Sequence, residues 1–102
     1  MPIDVTDVPE RERFEARDGD ADQALAGFMT YQVTGRIIAV THLNISPGYE
    51  DRDVGDLLAR AVMDDARSRT RTVVPICPFL AEWATRHREY TNLVAPSTKK
   101  MK

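Results

Sequence analysis

A chain of 102 residues, 42% hydrophobic and 29% charged, has room for one domain with its own core and the composition of an ordinary globular protein. No run is long and apolar enough to span a membrane, Met1 to Glu10 is too polar and acidic for a signal peptide, and the lone Cys77 cannot close an internal disulfide, which together indicate a cytoplasmic protein. The net charge of −2 hides an asymmetry: Lys99, Lys100 and Lys102 lie in the last four residues, and the remainder carries only arginine against 16 acids, which argues against nucleic acid as the main partner.

In chain order, residues 1–10 read as an extended or disordered arm. Arg11 to Arg17, alternating around Phe14 and Ala16, reads as an edge strand, and Asp18 to Asp22 with Gly19 as a turn. Ala24 to Val33 has a strand pattern, and Thr34-Gly35 makes a short hairpin turn. Arg36 to Ile45 is the strongest strand; strict alternation puts Ile37, Ala39, Thr41, Leu43 and Ile45 on one face and Ile38, Val40, His42 and Asn44 on the other. After a loop at Pro47-Gly48, Val54, Leu57, Leu58, Ala61, Val62 and Ala66 recur at helical spacing, with Asp53 placed as N-cap and Asp56 as a capping-box acid. Thr72 to Ile76 is a further strand. Pro75 within it cannot donate to a ladder, so it belongs at an edge or where strands part. A second helix starts at Pro78 and runs to about His87 or Tyr90, with Leu80, Trp83, Ala84 and His87 on one face. Residues 95–102 form a basic, flexible tail. The order β-β-β-α-β-α predicts an α+β fold, a mixed and mostly antiparallel sheet covered by two helices.

Cys77 sits at the strand-to-helix junction, where Pro78 is well suited to the first helical position. The positive end of the helix dipole then points at its sulfur, which favours thiolate over thiol. A lone cysteine is also a common small core residue, and both readings stay open. His42 is of a type suited to general-base work, and equally a strand residue held by hydrogen bonds. A Cys-His hydrolase built on the two lacks an orienting residue and an oxyanion motif. No metal motif is present.

The run Val73-Val74-Pro75-Ile76-Cys77-Pro78-Phe79, followed by Arg86-His87-Arg88-Glu89-Tyr90, resembles the small single-domain members of the GCN5-related N-acetyltransferases. The likeness covers residues 11–94. It implies an acetyl-CoA-dependent transfer of acetyl to an unidentified amine, with the cofactor in a splay between strands 36–45 and 72–77. It implies catalytic roles for Cys77 and His42. It implies pantetheine contacts along Leu43, Asn44 and Ile45, a pyrophosphate near Arg52, Asp53, Val54, Gly55 and Asp56, and Phe79 lining the cleft. Set beside typical relatives, a chain this short is expected to leave the acceptor side without the usual covering helices, and an open site would fit a large acceptor such as a protein.

The pyrophosphate segment departs from the family's Arg/Gln-x-x-Gly-x-Gly/Ala. Here it reads Glu50-Asp51-Arg52-Asp53-Val54-Gly55. Glu50 and Asp53 stand where a cation and a glycine serve phosphate, so the alternative is a non-catalytic acetyltransferase-fold binding module whose helix is capped by its own acids.

Overall fold

The computed structural model describes residues 3–95, so the basic lysine tail lies outside the described residues. Five strands, β1 (Ile3–Val8), β2 (Arg13–Asp18), β3 (Ala24–Thr34), β4 (Ile37–Ile45) and β5 (Thr72–Pro75), form one sheet in sequential order. The pairs are antiparallel except β4 with β5, which is parallel and joined by helix α1 (Val54–Ser68). Helix α2 (Pro78–Arg86) and a 3-10 turn (Arg88–Leu93) follow β5. The α+β fold is the one read from the sequence, with one strand more at the front.

That extra strand is β1. Residues 1–10 read as an arm because Asp4, Thr6 and Asp7 interrupt its apolar residues. In the sheet those polar positions suit an edge strand, with Asp4 opposite Arg17 and Thr6 opposite Glu15. β2 is consequently an inner strand, not the edge. Tyr31 fastens the addition from within: its hydroxyl donates to Asp7 Oδ1 at 2.5 Å.

Both helices cover one face. Phe14, Ala16, Met29, Ile38, Val40 and Val73 from the sheet join Leu58, Val62, Ala66, Leu80 and Trp83 in a single buried cluster. The buried stripe of α1 is Val54, Leu58, Ala59, Val62, Met63 and Ala66. It is rotated from the expected one: Leu57 and Ala61 are only half-buried, while Ala59 and Met63 are enclosed. The opposite face of the sheet carries no helix among the described residues. It holds Glu15 between Arg13 (2.7 Å) and Arg17 (2.8 Å), with the Arg13 guanidinium 4.3 Å from the centre of the Phe28 ring.

A close approach fixes where α1 lands. A Cβ on Gly27 would lie 2.8 Å from the Asn44 carbonyl oxygen and 2.9 Å from Val54 Cγ1. Glycine at 27 therefore lets the first residue of α1 seat on β3 and β4. The backbone oxygen cannot turn aside as a side chain could.

Two predictions follow from this packing. Gly27→Ala gains about 0.4–1 kcal/mol through the unfolded chain, but overpacking of this kind costs about 1–3 kcal/mol, so the variant is expected to melt several degrees lower in a circular-dichroism scan. An unchanged or higher melting temperature would refute the contact. The second concerns acid. Burial raises the Glu15 carboxyl, but the hydrogen bonds from Arg17 and Arg13 outweigh it and the group ends below its ordinary value. Asp18 is lowered chiefly by the hydrogen bond from the Tyr49 hydroxyl. A folded-state pKa below the unfolded one gives stability that is present above about pH 4 and lost as pH falls through the folded value. Urea unfolding between pH 6 and pH 2 should thus show a shallower loss for Glu15→Gln than for the parent protein.

Candidate functional site

The site is made by the parting of β4 and β5. They pair from Ile37↔Thr72 to Val40↔Pro75, and the Cys77 N–H donates the last rung to the Val40 carbonyl at 2.9 Å. The Ile76 N–H turns back onto the Val74 carbonyl at 3.1 Å, and the chain enters α2 at Pro78. β4 continues alone to Ile45.

A bulge changes what β4 presents there. Its pairing with β3 shifts between Thr30↔His42 and Tyr31↔Val40, leaving Thr41 as an extra residue. The Thr41 hydroxyl anchors the bulge on the Thr30 hydroxyl at 2.7 Å and carbonyl at 3.3 Å. Before the bulge, the Arg36 and Val40 carbonyls face β5, where they accept from Thr72 and Cys77. After it, the Ser46 N–H bonds Ala26 on the β3 side. Strand alternation then turns the backbone groups of His42 and Asn44 toward β3 and those of Leu43 and Ile45 toward the gap. The strict alternation expected across residues 37–45 is thereby corrected. Leu43 and Ile45 share the covered side with Ile38 and Val40, and His42 and Asn44 are exposed on the other face with Ile37.

The gap opens into a cleft of about 380 Å³. Leu43 and Ile45 form its floor. The loop and first turn of α1 supply Glu50, Asp53, Val54, Gly55 and Asp56; α2 supplies Phe79, Trp83 and Arg86, followed by His87. The walls are tied together by the Trp83 indole N–H, which donates to Asp56 Oδ1 at 2.8 Å. The His87 ring stacks on Trp83 at 3.7 Å, with Nδ1 2.8 Å from the Trp83 carbonyl and Nε2 3.9 Å from Asp56. Phe79 lies against Gly55, where a Cβ would come within 2.8 Å of its ring.

Asp53 holds the N-cap position in left-handed geometry (φ 56°) and makes no side-chain capping bond. Asp56 is engaged by Trp83, so neither acid caps the helix as the sequence suggested. The first-turn N–H groups of α1 are thus left without a side-chain cap. Glu50 accepts from the Gly48 N–H at 3.0 Å within its own loop.

Other expected residues lie outside the cleft lining. Arg52 turns away, with its guanidinium 3.9 Å from Asp18 and 5.6 Å from the Tyr49 ring centre. Cys77 is the N-cap residue of α2 but is only 3% exposed. It belongs to the buried cluster on the helix side, whereas His42 points from the opposite face, so the two side chains are not brought together. Tyr90 is pinned elsewhere, its hydroxyl donating to Asp64 at 2.6 Å. That bond raises its phenol above the ordinary range. Sequence reasoning gave Arg86 no role and set His87 on one helix face with Leu80, Trp83 and Ala84. The spacing of Phe79, Trp83, Arg86 and His87 along one side of α2 was the available signal. Among the described residues no group of three or more His, Cys, Asp or Glu could hold a metal, and no helix is long and apolar enough to cross a membrane.

The fold is similar to that of solved structures. A GCN5-like protein from Staphylococcus aureus, described as a putative N-acetyltransferase and solved by NMR, superposes with a TM-score of 0.69 at 21% identity, covering 92% of this chain and 89% of its own. A nourseothricin acetyltransferase gives 0.52 at 19% identity over 72% of this chain and 56% of its own. The N-acetylglutamate synthase of Neisseria gonorrhoeae, solved with coenzyme A and N-acetyl-glutamate, gives 0.58 at 19% identity over 74% of this chain but only 18% of its own. At these identities the likeness is one of fold. No curated protein sequence matches. The sequence profile of the GCN5-related N-acetyl-transferases matches residues 13–93, about four-fifths of the length, and on that match the chain belongs to this family.

Proposed function

We propose that the protein is an acetyl-CoA-dependent N-acetyltransferase that moves acetyl to an amine, with the cofactor in the cleft between β4 and β5. The observation that carries this reading is the bulge at Thr41, which turns the backbone of Leu43 and Ile45 into the gap where β5 has left. An extended amide-bearing arm can pair with that edge as an added strand does. The first-turn N–H groups at Val54, Gly55 and Asp56, free of a side-chain cap from Asp53, suit a phosphate. Asn44 would contribute backbone pairing only, since its side chain is on the other face, and Arg52 would have to leave Asp18 to assist.

In this reaction the neutral amine attacks the thioester carbonyl. The C–N bond forms, the C–S bond breaks, the amine gives up a proton and the CoA sulfur leaves as thiolate or thiol. A backbone N–H of the free β4 edge would stabilise charge building on the carbonyl oxygen. His42, exposed on the uncovered face, would take the amine proton from an acceptor arriving on that side. Cys77 has two roles open to it, acetyl carrier or proton donor to the leaving sulfur; its burial favours donation, because a covalent acetyl would need the start of α2 to open. An uncovered sheet face beside His42 suits a large acceptor such as a protein.

A second reading, a binding module without catalysis, is favoured by the cleft's acids. Glu50, Asp53 and Asp56 all line it. Like charges this close oppose a phosphate by on the order of 1 kcal/mol each in a solvated setting.

Titration of CoA and acetyl-CoA, followed by amide NMR shifts, tests the main reading. Saturable shifts at Leu43 to Ile45 and Val54 to Asp56 are expected, and none at millimolar ligand would leave the binding-module reading. Asp53→Gly removes both a repelling charge and a strained left-handed side chain, and should tighten CoA several-fold; equal affinity would count against the electrostatic argument. His42→Ala should flatten the pH–rate profile and leave the CoA dissociation constant unchanged, and an unaltered profile would return His42 to a structural role. Intact-mass measurement after incubation with acetyl-CoA tests the carrier role of Cys77. A thioester-linked acetyl lost in Cys77→Ala would establish the carrier, and its absence in an active enzyme would rule that role out.

A further inference from the structure

Arg86 is the arginine that lines the cleft, and it comes from neither the loop nor α1. α2 starts at the splay, where Cys77 bonds Val40, and rises about 12 Å to Arg86 at ~1.5 Å per residue. The guanidinium therefore stands at the outer end of the cleft, one helix length from the place where an acyl group would react. The loop cation Arg52 is turned to Asp18 and Tyr49, while three carboxylates occupy the facing wall. Any ligand with phosphates entering this cleft thus meets Arg86 as the arginine of its lining, beside the His87 ring that Trp83 holds in place, while the neighbouring Arg60 is paired with Asp56 at 3.8 Å and Glu89 at 4.0 Å.

We infer that Arg86 is the specificity residue for the phosphorylated end of the acyl carrier, separating a nucleotide-bearing thioester from the same pantetheine arm without phosphates. The inference rests on the acetyl-CoA reading above. Arg86 is able to serve because its present partner holds it weakly: it pairs with Glu82 at 3.3 Å, one turn back on α2, and the two side chains are 62% and 69% exposed. Guanidinium also offers paired N–H donors in a geometry that matches phosphate oxygens. The competing role is purely structural, a cation near a helix C-terminus that complements the dipole and a neighbouring acid. That role predicts no dependence on the ligand's phosphates.

The test is a set of NMR titrations of CoA and of pantetheine into the parent protein, Arg86→Ala and Arg86→Lys, each at low and moderate salt. Loss of one charge-assisted contact should weaken CoA about tenfold in Arg86→Ala and flatten its salt dependence. The affinity for pantetheine should stay within about twofold, and Arg86→Lys should recover most of the CoA affinity. An unchanged CoA dissociation constant in Arg86→Ala, or an equal weakening of both ligands, would overturn the assignment while leaving the acetyl-CoA reading intact. Failure of the parent protein to bind either ligand would remove that reading and this one with it, an outcome distinct from both.

Discussion

One parting of strands organises this molecule. β5 ends at Pro75, the Cys77 N–H closes the last rung on Val40, and beyond that point β4 has no neighbour on one side. A strand edge left open inside a domain would be a liability unless something covers it or uses it. Here α1 and α2 rise on either side of the gap and turn it into a cleft. The Thr41 bulge adds the second half of the arrangement, because it points alternate backbone groups into the gap at the place where pairing stops. Parting without the bulge would have aimed His42 and Asn44 backbone there instead, and put Leu43 and Ile45 on the solvent face.

The acidic balance of the chain has a structural account as well. Each tyrosine and the single tryptophan donates to an aspartate: Tyr31 to Asp7, Tyr49 to Asp18, Trp83 to Asp56 and Tyr90 to Asp64. Each bond joins elements distant in sequence. The first fastens β1 to β3, the second holds the loop before α1 onto the end of β2, and the other two fasten the chain after β5 onto α1. A buried or half-buried aromatic with a polar tip needs a partner, and a carboxylate is a stronger acceptor than a neutral group. Asp18 and Asp56 therefore do work in the fold, and their charge near the cleft accompanies that work.

What was legible in the sequence followed from periodicity. The alternation in β2, β3 and β4 and the helical stripe in α1 are strong local signals, and Pro75 with Cys77-Pro78 marked the junction that makes the splay. β1 was hidden because an edge strand tolerates polar residues at half its positions. The bulge was hidden because Thr41 looks like any other residue in an alternating run, and its extra place shows only against the register of β3. Asp53 and Asp56 read as caps from spacing alone. The competing donor, Trp83, comes from 27 positions further on, and no local pattern announces it. Arg52 was assigned to the cleft for its position in a motif; Asp18 and Tyr49, more than 30 positions and 3 positions away, pull it elsewhere. Cys77 was placed correctly at the head of α2, but its enclosure depends on packing across the sheet.

The Trp83–His87 stack gives the molecule an optical property. The single tryptophan of the chain stands in the cleft wall, its ring parallel to an imidazole and its N–H held by a carboxylate. Indole emission responds to the charge of a stacked imidazole and to the polarity around its ring. A ligand that enters between α1 and α2 alters the surroundings of that ring, so the unlabelled protein carries its own fluorescent indicator of cleft occupancy, with no second tryptophan to dilute the signal.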